Sequence, residues 1–108
     1  MAKQKLDKAP GMPRHYIKQW REYRHLSQER LAERIGVSRG AISQLENGIT
    51  AYTQGMLEAL ADALACEPAD LLQSDPKIDD ALHSIWKSLE APAREQAIRV
   101  LKALAKAA

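Results

Sequence analysis

Gly36 stands between two short apolar stripes, and that arrangement constrains this chain more than anything else in it. Ser27 to Gly48 reads SQERLAERIGVSRGAISQLENG. Leu31, Ala32 and Ile35 recur at helical spacing and give the first stretch one apolar face. Gly36 ends it, because glycine adopts the left-handed backbone of a helix terminus at little cost. Ser27 is placed to cap the first turn with its hydroxyl, and Glu29 suits the positive helix end. Arg30 takes the place of the acidic partner of a full capping box. After Val37, an apolar plug for the turn, Ser38 is a good cap for a second helix. There Ala41, Ile42 and Leu45 form the inward stripe, and Asn47-Gly48 closes the segment. Ala32 is expected to be small because the two helices cross closely beside it.

Two helices joined by a tight turn can place the second in the major groove of a duplex while the first crosses the backbone. The side chains left outside suit that task. Ser38, Arg39, Gly40, Ser43 and Gln44 point away from the stripe. Arginine pairs with guanine O6 and N7, glutamine with adenine, and serine with either. Gly40 would allow close approach without a side-chain contact.

The segment resembles the Cro/phage-repressor type of helix-turn-helix, the Xre family. The marks are Leu26-Ser27-Gln28, Leu31-Ala32, Ile35-Gly36-Val37-Ser38 and Ile42-Ser43-Gln44-Leu45-Glu46-Asn47-Gly48, with Leu57, Leu60, Ala61 and Leu64 beyond. More loosely the likeness runs from Arg14 to Leu72. It implies an all-α, five-helix, lambda-repressor-like domain. It also implies that Gln28 opens the first motif helix and touches a phosphate. Ser38, Arg39, Gly40, Ser43 and Gln44 would face bases, and the backbone near Asn47 would approach a phosphate. His25 and Ala65 depart from the pattern, standing where the family often has glycine after a helix. Histidine tolerates that backbone better than most residues.

The remainder of the chain is read around this motif. Residues 1–13 form a basic arm that either tracks DNA through Lys3, Lys5 and Lys8 or has no role. A first helix is expected from Arg14 to Tyr23, with Ile17, Trp20 and Leu26 facing inward. Arg14, Lys18, Arg21 and Arg24 then share a basic face that is either solvated or reaches phosphates, Arg21 and Arg24 being nearest the motif. Thr50, Tyr52 and Thr53 offer hydroxyls to phosphates, although Tyr52 is equally suited to packing over its loop. A fourth helix is expected over Gln54–Ala65 and a fifth over Ala69–Leu72, with Leu71 and Leu72 closing the core. The helix-turn-helix domain so defined covers residues 14–73. Ser74-Asp75-Pro76 breaks the pattern. A helical hairpin follows within residues 76–108, over Ile78–Glu90 and Pro92–Lys106. Its stripes are Leu82, Ile85, Trp86 and Leu89, then Ile98, Leu101, Leu104 and Ala105. They either pack back on the first domain or meet a second copy, and the second use suits paired half-sites better.

Composition narrows the functional classes. Residues 1–52 carry a net charge of +5 and residues 53–108 a net −3. A phosphate-facing front half gives that pattern, and so does ordinary scatter. One cysteine, Cys66, excludes an internal disulfide and reads as a small buried hydrophobe rather than a redox or metal group. His15, His25 and His83 lack metal-ligand spacing, and no glycine-rich phosphate loop is present. With no apolar run of membrane length and no secretory signal, a cytoplasmic setting is expected. The expectation is a non-enzymatic, cofactor-free regulator of transcription, a homodimeric repressor binding specific double-stranded DNA. Its contacts would come from Arg21, Arg24, Gln28, Ser38, Arg39, Gly40, Ser43, Gln44, Asn47, Thr50 and Tyr52. The alternative is an antitoxin-like module that pairs DNA binding with a protein partner.

Overall fold

The computed structural model describes residues 13–107, so the arm with Lys3, Lys5 and Lys8 lies outside the described residues. Among these, the regular structure is all helical: α1 Ile17–Tyr23, α2 Gln28–Ile35, α3 Arg39–Glu46, α4 Gln54–Ala63, α5 Asp70–Gln73, α6 Pro76–Ser88 and α7 Ala91–Ala107. The chain divides into two units, one ending at Lys77 and one starting at Ile78.

In the first unit, Ile17, Leu31, Ile42, Leu60, Leu64 and Leu71 are wholly buried and come from all five helices or their ends. Ala32 is buried as well, which fits the close crossing of α2 and α3. Trp20 packs at the rim and donates its indole N–H to the Asp70 carbonyl at 3.1 Å, tying α1 to α5. Leu72 is 38% exposed, so Leu71 alone closes that side. The short α5 offers only one inward position.

Three helices start on a hydroxyl cap. Ser27 Oγ accepts from the Arg30 N–H, Ser38 Oγ from that of Ala41, and Thr53 Oγ1 from that of Met56, at 3.0–3.1 Å. Thr53 is thus a helix cap, as Ser38 is, with its hydroxyl proton left to donate. Four termini also share one closure. His25, Gly36, Gly48 and Ala65 all have φ between 56° and 75°. The next residue donates its N–H five residues back: Leu26 to Arg21, Val37 to Ala32, Ile49 to Gln44 and Cys66 to Ala61. This is the Schellman closure, which satisfies carbonyls that the helix leaves open. The two positions where the family often has glycine thus keep the left-handed backbone without it. The closure at Ala65 also ends α4 at Ala63, two residues before the expected boundary.

α1 begins at Ile17 rather than Arg14 because the preceding residues serve tertiary contacts. The Tyr16 N–H donates to the Leu71 carbonyl at 2.7 Å. The buried His15 ring donates from Nε2 to the Leu45 carbonyl at 3.1 Å and accepts the Ile17 N–H at Nδ1. α5 is displaced by one residue from its expected span. Asp70 bonds back to the Glu67 N–H at 2.9 Å, which places residues 67–69 in the entering turn.

α6, whose first two residues belong to the first unit and the rest to the second, starts two residues early. Pro76 suits a first helical position, and Asp75 accepts the Lys77 N–H at 2.9 Å. At its other end Ser88 donates its hydroxyl to the Ile85 carbonyl at 2.6 Å. Arg94 then binds α7 to the end of α6, donating to the Trp86 carbonyl at 3.2 Å with its guanidinium over the Trp86 ring. Ile78, Leu82, Ile85, Ile98, Val100, Leu101 and Leu104 of the second unit are exposed. No helix among the described residues is long and apolar enough to cross a membrane.

Candidate nucleic-acid interface

The outer face of α3 is assembled by what its inner face buries. Ile42, Leu45 and Glu46 face inward, so Arg39, Gly40 and Gln44 stand in solvent and Ser43 is half-buried beside them. The side chains of Arg39 and Gln44 bond no described residue. Ser38, at the head of the helix, is exposed while its hydroxyl serves as the cap. The five residues assigned to base contact therefore form one accessible strip.

Beneath the strip lies a buried ionic knot that orients α3. Glu46 is only 4% exposed. Its carboxylate accepts from Arg21 Nε at 2.6 Å, from Arg21 Nη2 at 3.1 Å and from Gln28 Nε2 at 3.0 Å. Arg21 Nη1 donates to the Leu26 carbonyl at 2.8 Å. The Glu46 carboxylate holds the Arg21 guanidinium above its usual pKa, outweighing the effect of burial. Three elements thus meet on one acid: α1 through Arg21, α2 through Gln28 and α3 through Glu46 itself.

That geometry corrects the expected phosphate anchors. Arg21 is buried, and its Nε, Nη1 and Nη2 all donate within the protein, so it serves as a structural cation and does not face outward. Arg24 is exposed, but its guanidinium is also engaged. It donates to the Leu64 carbonyl at 2.7 Å and the Ala65 carbonyl at 3.0 Å, crowning the end of α4, and lies over the Trp20 and Tyr23 rings. The Asn47 N–H donates to the Ser43 carbonyl, and the Gly48, Ile49 and Thr50 N–H groups also bond within the helix end. The exposed donor at Asn47 is accordingly its side-chain amide. Gln28 is half-buried with one amide N–H held by Glu46. Thr50 is exposed, and Tyr52 is half-buried, edge-on to His15 at 5.9 Å.

Two cations of the basic face do reach this neighbourhood. Lys18 shares a shallow depression with Gln19 and Asn47, and Arg14 shares another with Thr50 and Tyr52. Both are exposed. Sequence reasoning passed over Glu46 and His15. Glu46 carried a signal, since it lies four residues after Ile42 on the apolar stripe, where a carboxylate demands a buried cation. His15 carried none, because its partners are a carbonyl 30 residues away and a local N–H.

Cys66 is half-buried against the core. Burial, reinforced by Asp70, pushes its thiol up to about 11. It is poorly suited to nucleophilic or redox chemistry at neutral pH.

Comparison with known proteins agrees with this fold. A family model described as helix-turn-helix matches residues 17–71. The DNA-binding domain of the P22 c2 repressor is similar at 38% identity and a TM-score of 0.53, over 56% of this chain and 79% of that domain. The clp gene regulator ClgR from Corynebacterium glutamicum is similar at 28% identity and a TM-score of 0.53, over 81% of this chain and 83% of that one. None of the curated proteins compared matches the chain.

Proposed function

This chain belongs to the helix-turn-helix family of the Cro and phage-repressor type, and from that premise we propose that it is a repressor that binds specific double-stranded DNA as a homodimer. The coarser part of this reading, a DNA-binding regulator of transcription, accords with the P22 c2 repressor domain and with ClgR. The observation that carries the finer part is the accessible strip on α3. Arg39 and Gln44 stand exposed, their side chains bonded to no described residue, on a helix whose other face is locked into the core. Such a helix can enter a major groove, with Arg39 paired to guanine and Gln44 to adenine. Ser38 and Ser43 supply adaptable secondary contacts. Lys18, Arg14, the Asn47 amide, Thr50, the Tyr52 hydroxyl and the free amide hydrogen of Gln28 border the strip and suit backbone phosphates.

Selection of bound sequences from a random duplex pool tests the reading. A defined, two-fold symmetric site is expected, and recovery of unrelated sequences would refute it. On that site Arg39→Ala should cost about 1–3 kcal/mol and relax choice at one base pair. Unchanged affinity and preference would remove Arg39 from the base-reading set.

The second unit supports the dimer. Leu82, Ile85, Ile98, Leu101 and Leu104 are between 41% and 62% exposed, and apolar residues in such number on one small hairpin call for a cover. A second copy supplies it and pairs two recognition helices for half-sites about 34 Å apart. The same exposed residues suit the competing reading, an antitoxin-like module that holds another protein. Sedimentation of the purified chain distinguishes them: a dimer favours the first, and a monomer that pairs only with a host protein favours the second.

A further inference from the structure

Gly40 is the second residue of α3 and is exposed. Glycine weakens a helix there, because it has more backbone freedom to lose than a residue with a β-carbon. Nothing among the described residues requires it. Gly36 and Gly48 occupy the left-handed region, but Gly40 does not. A β-carbon built on it meets only Ser38 Oγ, at 3.9 Å, which is ordinary van der Waals contact. Alanine therefore fits the free protein and strengthens its helix, and the reason for glycine lies outside the chain.

Its position says where. Residue 40 shares a helix face with residues 43 and 44, one turn on, and Arg39 precedes it. The missing side chain thus leaves a bare patch amid the strip formed by Arg39, Ser43 and Gln44. Against such a patch a polar base edge would lose its water and gain no partner, which is costly. The 5-methyl group of thymine needs only close contact and is the apolar projection of the major groove. Building on the DNA-reading function above, we infer that Gly40 is a specificity determinant acting through the side chain it lacks: its bare Cα seats the methyl group of one thymine, flanked by the contacts of Arg39 and Gln44.

The test uses the full chain and the duplex recovered from the random pool, with each thymine replaced in turn by uracil to delete one methyl group. For the unaltered protein, uracil at a single position per half-site should weaken binding about threefold to fivefold, the loss of one buried methyl group. Gly40→Ala should bind the parent duplex at least about tenfold more weakly. At that same position its response should reverse, uracil now improving binding by making room for the β-carbon. Its melting temperature should rise by about 2–4 °C, as should that of Gly55→Ala, the second residue of α4, where an added β-carbon also meets open space. The rise shows that a binding loss is not a folding loss. Gly40→Ala binding the parent duplex undiminished, or responding to every uracil as the unaltered protein does, overturns the inference while leaving the DNA reading intact. A random pool that yields no preferred sequence ends both, and is recognised before any variant is made.

Discussion

Individual residues on this surface separate into those that hold the reading helix and those free to meet a ligand, and their chemical type does not sort them. Arg21, Arg24 and Arg39 are all arginines of the basic half, yet Arg21 is buried on Glu46 and the exposed Arg24 is bonded to carbonyls at the end of α4. Arg21→Met leaves the Glu46 carboxylate buried without its cation and should cost about 3–5 kcal/mol in urea unfolding. The double variant Arg21→Met, Glu46→Leu should recover most of that loss, because burying neither charge is close to neutral. If Arg21→Met leaves stability intact and lowers affinity for all duplexes, Arg21 is a phosphate anchor after all. Lys18→Ala and Arg14→Ala should behave in the opposite sense. Each should melt as the parent does, while the salt slope of binding falls by about one for every phosphate left without its cation. Two further residues carry backbone strain. Replacing Ala65 by glycine, at φ 56°, should stabilise the chain by about 1 kcal/mol, and His25→Gly, at φ 59°, by less, since histidine tolerates this region better. A fall in melting temperature for Ala65→Gly would contradict the strain argument.

Elements are legible in the sequence where their ends are marked by side chains of their own. α2 and α3 fall on the expected boundaries because Ser27 and Ser38 cap them and Gly36 turns the chain between them. Ser38→Ala should cost about 1 kcal/mol and fray the first turn of α3, raising amide exchange at Ala41. Unaltered exchange there would show the cap to be dispensable. α1 departs from its expected start because that start depends on Tyr16 and His15 bonding to Leu71 and Leu45, partners remote in sequence. α4 is shorter than expected because an alanine at a left-handed position looks like any helix former. The candidate site divides in the same manner. The outward residues of α3 follow from helical period alone, whereas the commitments of Arg21 and Arg24 depend on which helix packs beside which.

At the scale of the whole molecule, two units carry complementary features. The first displays a polar strip over a finished core, and the second leaves its large apolar residues exposed. Leu82→Glu combined with Leu101→Glu should yield a monomer whose first unit still melts cooperatively. Its affinity for a two-fold site should fall by two or more orders of magnitude, as linked half-site binding is lost. A variant that stays dimeric would move the association surface elsewhere. Cys66 reports on the fold from within. With its thiol held near 11, alkylation at pH 8 should run about a hundredfold slower in the native chain than after unfolding, from the thiolate fraction alone. Equal rates would mean that the residue is open to solvent.

Periodicity, hydroxyl caps and a well-placed glycine are local properties, and they alone determined that this chain makes a helix-turn-helix with Arg39, Gly40 and Gln44 outward. Whether a charged residue meets water or another residue is not local. It depends on desolvation and on partners brought close by packing, and only the tertiary structure decided it. Packing turned Glu46 into the acid on which three helices meet, buried Arg21 against it, and engaged the exposed Arg24 at the end of α4. It also left Gly40 with room for a side chain that the protein does without.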